Sequence, residues 1–383
     1  MNVLIAGGGF GAVEAMLALR ALAPGRVSVT LISDSAVLAY KPAATVEAFD
    51  ETPPRTYDLQ AIVADVSASF RLDRVEAVAP HDHSVRLASF AHLDYDALVL
   101  AVGARAVSAI PGALTFRDQH EVHHIRRLMS ELCSGALRRI IFAVPGGCSW
   151  PLPLYELALL TATRLRELDA TGEVMLVSPE IAPLQVFGAE ASPLVADLLA
   201  ERGVRFIGDS EAQRVDRSGA LVLASGETLD ADRVVATPKL RGPGITGLPA
   251  DQSGFITTDA LGGVIGLPDV YAAGDMTSFP IKQGGLAAQQ ADVIAHLIAS
   301  NHGAFVTQPR IRRVLRARLV GGARPVFLRT ELDQLGQVTA ASTVHGHFSD
   351  SESGTPPEKV FGRYLSPYLH THAPVLSRSS TDG

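Results

Sequence analysis

Residues 3–12 read VLIAGGGFGA, an apolar run that closes on glycines. The run itself, residues 3–6, has the length and composition of a buried strand. Residues 13–22 continue with a helical pattern that Pro24-Gly25 ends, and residues 27–32 form a second apolar run. Strand, glycine turn, helix and strand make a β-α-β unit, whose strands are expected to be parallel and buried. Within the turn the spacing is Gly7-x-Gly9-x-x-Ala12, with Phe10 and Gly11 between. The first glycine makes the turn and the second lets the backbone approach a pyrophosphate. The third position, where alanine is an accepted small substitute, packs helix on strand. The helix N-terminus then faces the phosphates. The spacing alone is a weak signal; its strand-turn-helix-strand context makes it a dinucleotide site. The carboxylate expected to hold the adenosine ribose is Asp34, one position later than the commonest placement.

The chain has 383 residues, room for two or three domains of about 150 residues each. Hydrophobic residues make up 47% and charged residues 19%, so large cores are expected and extensive disorder is not. With 40 acidic and 33 basic residues the net charge is −7, which argues against a nucleic-acid partner. Two cysteines, Cys133 and Cys148, provide neither a disulfide framework nor a four-cysteine zinc site. Glu14 interrupts the apolar N-terminus, which argues against a secretory signal. The long apolar stretch 140–162 contains Pro145, Pro151, Pro153 and Glu156, a mixture unsuited to a membrane span. A cytoplasmic location is expected.

Further along, residues 70–79 and 84–88 read as short strands around a polar turn, and 97–102 as another buried strand. A second β-α-β begins at residue 140, with its helix over 154–168 and its return strand over 174–177. Residues 189–202 are helical, with Gly203 as the stop. Residues 231–236 and 270–273 are short apolar strands, and 285–300 is a final helix. Residues 315–320 and 325–330 flank Gly321-Gly322 as a hairpin, and 349–357 read as a polar loop. Two β-α-β units indicate an α/β protein.

Two more motifs close strands on small residues: DALVLAVGA over 96–104, with Ala101 and Gly103 in its turn, and DVYAAGD over 269–275, ending on Gly274-Asp275. With these, residues 1–300 resemble the two-dinucleotide-domain flavoproteins of the pyridine nucleotide-disulfide oxidoreductase superfamily. The resemblance implies two Rossmann-like domains in three layers with a β-meander insert: an FAD domain over 1–110 and 240–300, and an NAD(P)-like domain over 111–239. Residues 301–383 then form a C-terminal hairpin or cap. It implies that Asp275 binds the flavin's ribityl and pyrophosphate region and that the 101–103 turn contacts FAD. Sulfide:quinone oxidoreductases and type II NADH dehydrogenases are the nearest in look. Tyr40-Lys41-Pro42 is similar to their flavin-edge loop, and residues 279–285, FPIKQGG, resemble their lysine-bearing segment. Residues 357–365, PEKVFGRYL, resemble tails of bacterial members. Lys282, beside Gln283 and a helix start, would stabilise charge at the flavin's carbonyl edge and raise its potential.

The second phosphate loop, residues 143–158, reads AVPGGCSWPLPLYELA. Only Gly146-Gly147 remain of a nicotinamide fingerprint, and prolines stand where its last glycine belongs. Glu180, after the return strand, is a possible ribose ligand, so NAD(P)H stays open as a second cofactor. Sulfide:quinone oxidoreductases carry a redox cysteine pair. In register with Tyr155-Glu156, Trp150 occupies that thiol's place, Cys148 falls two residues early, and no cysteine follows in the last third of the chain. A two-cysteine relay is therefore not expected. Trp150 could pack on the flavin or on a planar acceptor, or instead pack between domains. Glu156 could orient substrate or relay a proton, or be an inter-domain carboxylate. His120, His123 and His124 have helical spacing but no further ligand, so no metal site is assigned. Arg316 and Arg318 alternate with apolar residues and read as the solvated face of a half-buried strand; peripheral membrane contact is not indicated.

The expected protein passes two electrons from a small-molecule donor through FAD to a small acceptor, such as a quinone, with a homodimer as one arrangement. An NAD(P)H:acceptor reductase and a flavin-binding redox sensor are the alternatives.

Overall fold

The computed structural model describes residues 1–50, 53–306, 311–321, 324–339, 343–346 and 359–376. Its framework is two parallel five-stranded sheets followed by an antiparallel one. In chain order the strands are β1 (Asn2–Ala6), β2 (Ser28–Ser33), β3 (Ser69–Leu72), β4 (Ala97–Leu100), β5 (Leu114–Thr115), β6 (Arg139–Ala143), β7 (Glu173–Val177), β8 (Val204–Ile207), β9 (Arg233–Ala236), β10 (Val270–Ala272), β11 (Arg313–Leu319), β12 (Val326–Leu332) and β13 (Thr343–Gly346). The helices that matter here are α1 (Phe10–Leu22), α2 (Leu152–Glu167), α3 (Gly284–Asn301) and α4 (Leu365–Thr371).

The first sheet runs β10-β4-β1-β2-β3, and its central strands are buried on both faces, as parallel strands require. Alternate residues of β1 face different layers. Val3 and Ile5 join the core under α1 and α3, while Leu4 and Ala6 pack against Val75, Val85 and Leu87 on the opposite side. Those last residues belong to an antiparallel meander of Val75–Ala79, Ser84–Leu87 and His92–Asp94. The second sheet, β5-β9-β6-β7-β8, repeats the plan. Ile140 and Phe142 pack under α2, and Ile141 and Ala143 pack under a second small antiparallel sheet, Ala212–Val215 to Thr228–Leu229. The α/β architecture with two three-layer Rossmann-like sheets is thus present.

The fold corrects one reading. Residues 70–79 do not make one strand region facing Ser84–Leu87. Ser69–Leu72 pairs in parallel with β2, and only Val75–Ala79 turns back into the meander. The switch occurs at Asp73-Arg74, where the Asp73 carboxylate accepts from Arg74 N–H at 2.8 Å and from Ser89 Oγ at 2.5 Å.

β11 and β12 form the expected hairpin, and β13 pairs with β12 as an additional strand. Gly322 and the 349–357 loop lie outside the described residues. Leu315, Ala317 and Leu319 join the core of the second sheet. The C-terminal segment from Lys359 then returns to the first domain. Val360 N–H donates to the Tyr40 hydroxyl at 3.1 Å, and the Glu14 carboxylate of α1 accepts from Tyr364 and Leu365 N–H at 3.0 and 2.7 Å. Burial pushes the Glu14 carboxyl up to about 7 against the pull of these donors. Among the described residues no helix is long and apolar enough to cross a membrane.

Candidate active site

One cleft of about 520 Å³ runs between the two parallel sheets and under the C-terminal segment. It gathers residues that the sequence scatters over more than 350 positions. Gly9, Phe10, Gly11, Asp34, Lys41, Ala101, Gly103, Gly274, Asp275, Lys282 and Gln283 all line it, as do Trp150 and Glu156 from the second domain. Gly7 and Ala12 stand behind it. Gly7 has φ +128°, and a Cβ there would lie 2.3 Å from the Ala101 carbonyl oxygen. Ala12 is fully buried under the sheet.

At one end the glycine turn leaves room. A Cβ on Gly9 would meet nothing within 4 Å, although Gly9 caps α1 in an ordinary extended conformation with no side-chain cap. Gly9, Phe10 and Gly11 bring the start of α1 to the cleft wall, and no protein packing demands glycine at position 9. Asp275 sits near Lys282. Burial pushes its carboxyl up, and the Lys282 ammonium opposes that. Lys282 is itself brought down to about 8 by burial, with Asp275 pulling the other way. Its ammonium donates to the Thr277 carbonyl and lies 4.0 Å from the Phe255 ring centroid. The Gln283 amide is engaged at both ends: it accepts from Leu286 N–H at 2.9 Å, capping α3, and donates to the Arg316 carbonyl at 3.2 Å. Lys41 is largely exposed and pairs with Asp118 at 3.5 Å.

At the other end lies a cluster whose partners the sequence did not reveal. Glu156, 2% exposed, receives Lys359 Nζ at 2.8 and 2.7 Å on its two oxygens, Thr45 Oγ1 at 2.7 Å and Val320 N–H at 3.0 Å. Lys359 also donates to Thr45 Oγ1 at 3.1 Å. Both domains and the C-terminal segment thus meet on one carboxylate. The tail motif over 357–365 was visible, but nothing in its spacing ties Lys359 to a residue 203 positions away.

The second loop is rebuilt. Pro151 caps α2 and Pro153 is its second residue, so two amides are missing where an anion would sit. Leu154 N–H turns back to the Pro151 carbonyl at 3.0 Å. The Glu211 carboxylate presses on Gly146, where a Cβ would come within 2.0 Å of it. Glu180 is no free ribose ligand: it is buried and accepts from Tyr155 Oη at 2.6 Å and Ser178 Oγ at 3.0 Å. Burial pushes its carboxyl up, with those hydroxyls opposing. Trp150 lines the cleft and packs edge-on to Phe187 with centroids 6.0 Å apart. Cys148 lies 3.5 Å from Thr237 Oγ1, and burial raises its thiol above the ordinary range, which disfavours the nucleophilic thiolate. His120, His123 and His124 are exposed, and no metal-holding cluster exists among the described residues.

Comparison with known proteins places this geometry. Residues 1–293 match the family model described as pyridine nucleotide-disulphide oxidoreductase. The chain belongs to that family. It is an FAD-dependent oxidoreductase. A sulfide-quinone reductase of Aquifex aeolicus is 23% identical over 331 residues, 78% of this chain and 76% of that protein. The ferredoxin–NAD(+) reductase component of a biphenyl dioxygenase system from Paraburkholderia xenovorans is 29% identical over 302 residues, 74% of this chain and 69% of that protein. The crystal structure of the Aquifex aeolicus sulfide:quinone oxidoreductase superposes with a TM-score of 0.76 at 19% identity, covering 90% of this chain and 87% of that one.

The residues present fit FAD. An uncapped helix N-terminus behind a glycine with free space suits a pyrophosphate, and Asp34 and Asp275, which line the cleft, would be the acceptors for its sugar and ribityl hydroxyls. FAD supplies two-electron chemistry when bound; the chain supplies position, charge and exclusion of water. The second loop does not fit a second dinucleotide in the same way. Its helix start lacks two amide donors, and two carboxylates, Glu180 and Glu211, stand near it. The family's disulphide is absent from the cleft as well: Cys133 and Cys148 are both free, and Cys148 alone lines it.

Proposed function

We propose that this oxidoreductase passes two electrons from a small-molecule donor other than NAD(P)H, through FAD, to a small planar acceptor of the quinone type. The observation that carries the reading is the second phosphate loop. Where a nicotinamide dinucleotide would need amides and glycine it presents Pro151, Pro153 and the Glu211 carboxylate, and where it faces the cleft it presents Trp150. Trp150 offers a flat apolar surface for a planar ring. Lys359 is the proton-bearing group at that end, and Glu156 stabilises its charge. A quinone that takes up a hydride needs one further proton to become the quinol, and Lys359 Nζ has one to give at the wall of the cleft. Gly9, Asp34 and Asp275 hold the cofactor, and Lys282 and Lys41 supply positive charge along it.

Reoxidation of the chemically reduced holoprotein by menadione tests the acceptor. The expected second-order constant is at least about 10⁴ M⁻¹s⁻¹. Reoxidation no faster than that of free reduced FAD contradicts the reading.

A further inference from the structure

The β11–β12 hairpin carries an imbalance of charge that neither the fold nor the proposed reaction uses. In its register Arg316 stands directly opposite Arg329, and Val314 opposite Glu331. Like charges directly opposite on one face cost stability. The acid of that face is already taken, because Glu331 pairs with Arg329 at 2.8 Å and with Arg312. Arg316 is half-buried, and its guanidinium lies 4.3 Å from the Phe361 ring centroid in the C-terminal segment. Burial, with Arg329 and Arg312 adding to it, brings this guanidinium down to about 10. The expectation of a solvated strand face is therefore wrong for Arg316 and Arg318: both line the cleft.

Four of the other cations that line the cleft have an acid beside them. Lys41 has Asp118, Lys359 has Glu156, Arg117 has Glu121 at 3.6 Å, and Lys282 has Asp275 nearby. Arg316 has no acid partner among the described residues. A guanidinium kept partly out of water against its own kind, with its nearest acid Glu331 already paired to two other arginines, is costly unless an anion arrives. The aromatic face of Phe361 holds it in place and offsets only part of that cost. A planar guanidinium is also the side chain suited to paired hydrogen bonds with a carboxylate or sulfonate.

We infer that Arg316 determines specificity in this cleft, and that the acceptor is a planar molecule bearing a carboxylate or sulfonate that pairs with the Arg316 guanidinium. This deepens the acceptor assignment above and rests on it. Lys359, which lines the cleft, and Phe361, which backs the Arg316 guanidinium, lie on the same segment, so one docked strap presents both the backing for the anion site and the proton-bearing group.

The test compares two probes on the FAD-loaded protein, menadione and naphthoquinone sulfonate, with dissociation constants read from perturbation of the flavin spectrum. The sulfonate is expected to bind at least tenfold tighter than menadione, with the ratio shrinking as salt rises. R316Q should abolish the preference, and R316K, which keeps the charge but not the paired hydrogen bonds, should restore only part of it. Equal binding by the wild type, or a preference that survives R316Q, overturns the proposal. So does an R316Q protein whose only change is weaker FAD retention, since Arg316 would then serve the cofactor's pyrophosphate. Menadione turning over without any sulfonate preference removes this inference alone; failure of both quinones to bind removes the acceptor assignment with it.

Discussion

Replacing Gly9 by valine is expected to give a folded, colourless protein. Gly9 has φ −94° and ψ −173°, a conformation any residue adopts, and a Cβ there meets nothing within 4 Å. The apoprotein should therefore melt within a few degrees of the wild type. The added side chain would instead fill the cleft in front of the first amides of α1, where a pyrophosphate must approach backbone closely. FAD affinity should fall at least a thousandfold, about 4 kcal/mol, measured by flavin titration of apoprotein. Gly7 provides the contrast. At φ +128°, with the Ala101 carbonyl 2.3 Å from its would-be Cβ, Gly7→Ala should lower the melting temperature of the apoprotein as well. Full FAD binding by the Gly9 variant would mean that the cradle lies elsewhere.

The second large effect is expected at Lys359. Removing its ammonium in K359M leaves the buried Glu156 carboxylate with only the Thr45 hydroxyl and the Val320 amide. Breaking a buried pair on one side typically costs about 3–5 kcal/mol, and a thermal or denaturant melt should report a loss of that size. The double variant K359M/E156Q removes both charges and should recover much of it. Turnover should behave differently. If Lys359 delivers a proton, acceptor reduction stays about a hundredfold or more down in single and double variants alike. Turnover that recovers together with stability would reduce the pair to a clamp between the domains and the C-terminal segment.

Much of this molecule was legible in local pattern. The glycine turn over 7–12, the apolar runs of β1, β2, β6 and β7, and the small-residue turns at 101–103 and 274–275 are set by steric and hydrophobic rules that act over a few residues. They place one end of the cleft. What the sequence hid depends on distant partners. Glu180 has the position of a ribose ligand, but whether it is free depends on Tyr155, a residue of the preceding helix whose hydroxyl reaches it at 2.6 Å. Arg316 alternates with buried residues as a half-exposed strand should; that its face turns to a cleft beneath Phe361 depends on the return of the C-terminal segment. Lys359 and Glu156 pair only because β11, α2 and that segment converge. The break at Asp73-Arg74, which sends neighbouring strands to different sheets, shows in the sequence only as two consecutive charged residues that shift the phase of the alternation.

Anaerobic rapid mixing of the FAD-loaded protein with NADH or NADPH at millimolar concentration tests most directly whether the flavin cleft works without a nicotinamide site. The flavin absorbance is expected to stay unchanged over many seconds, and neither nucleotide is expected to perturb the spectrum at equilibrium. Bleaching faster than about 1 s⁻¹, within the range of enzymatic turnover, would contradict this expectation and return the rebuilt loop at Gly146-Gly147 to the role of a dinucleotide site.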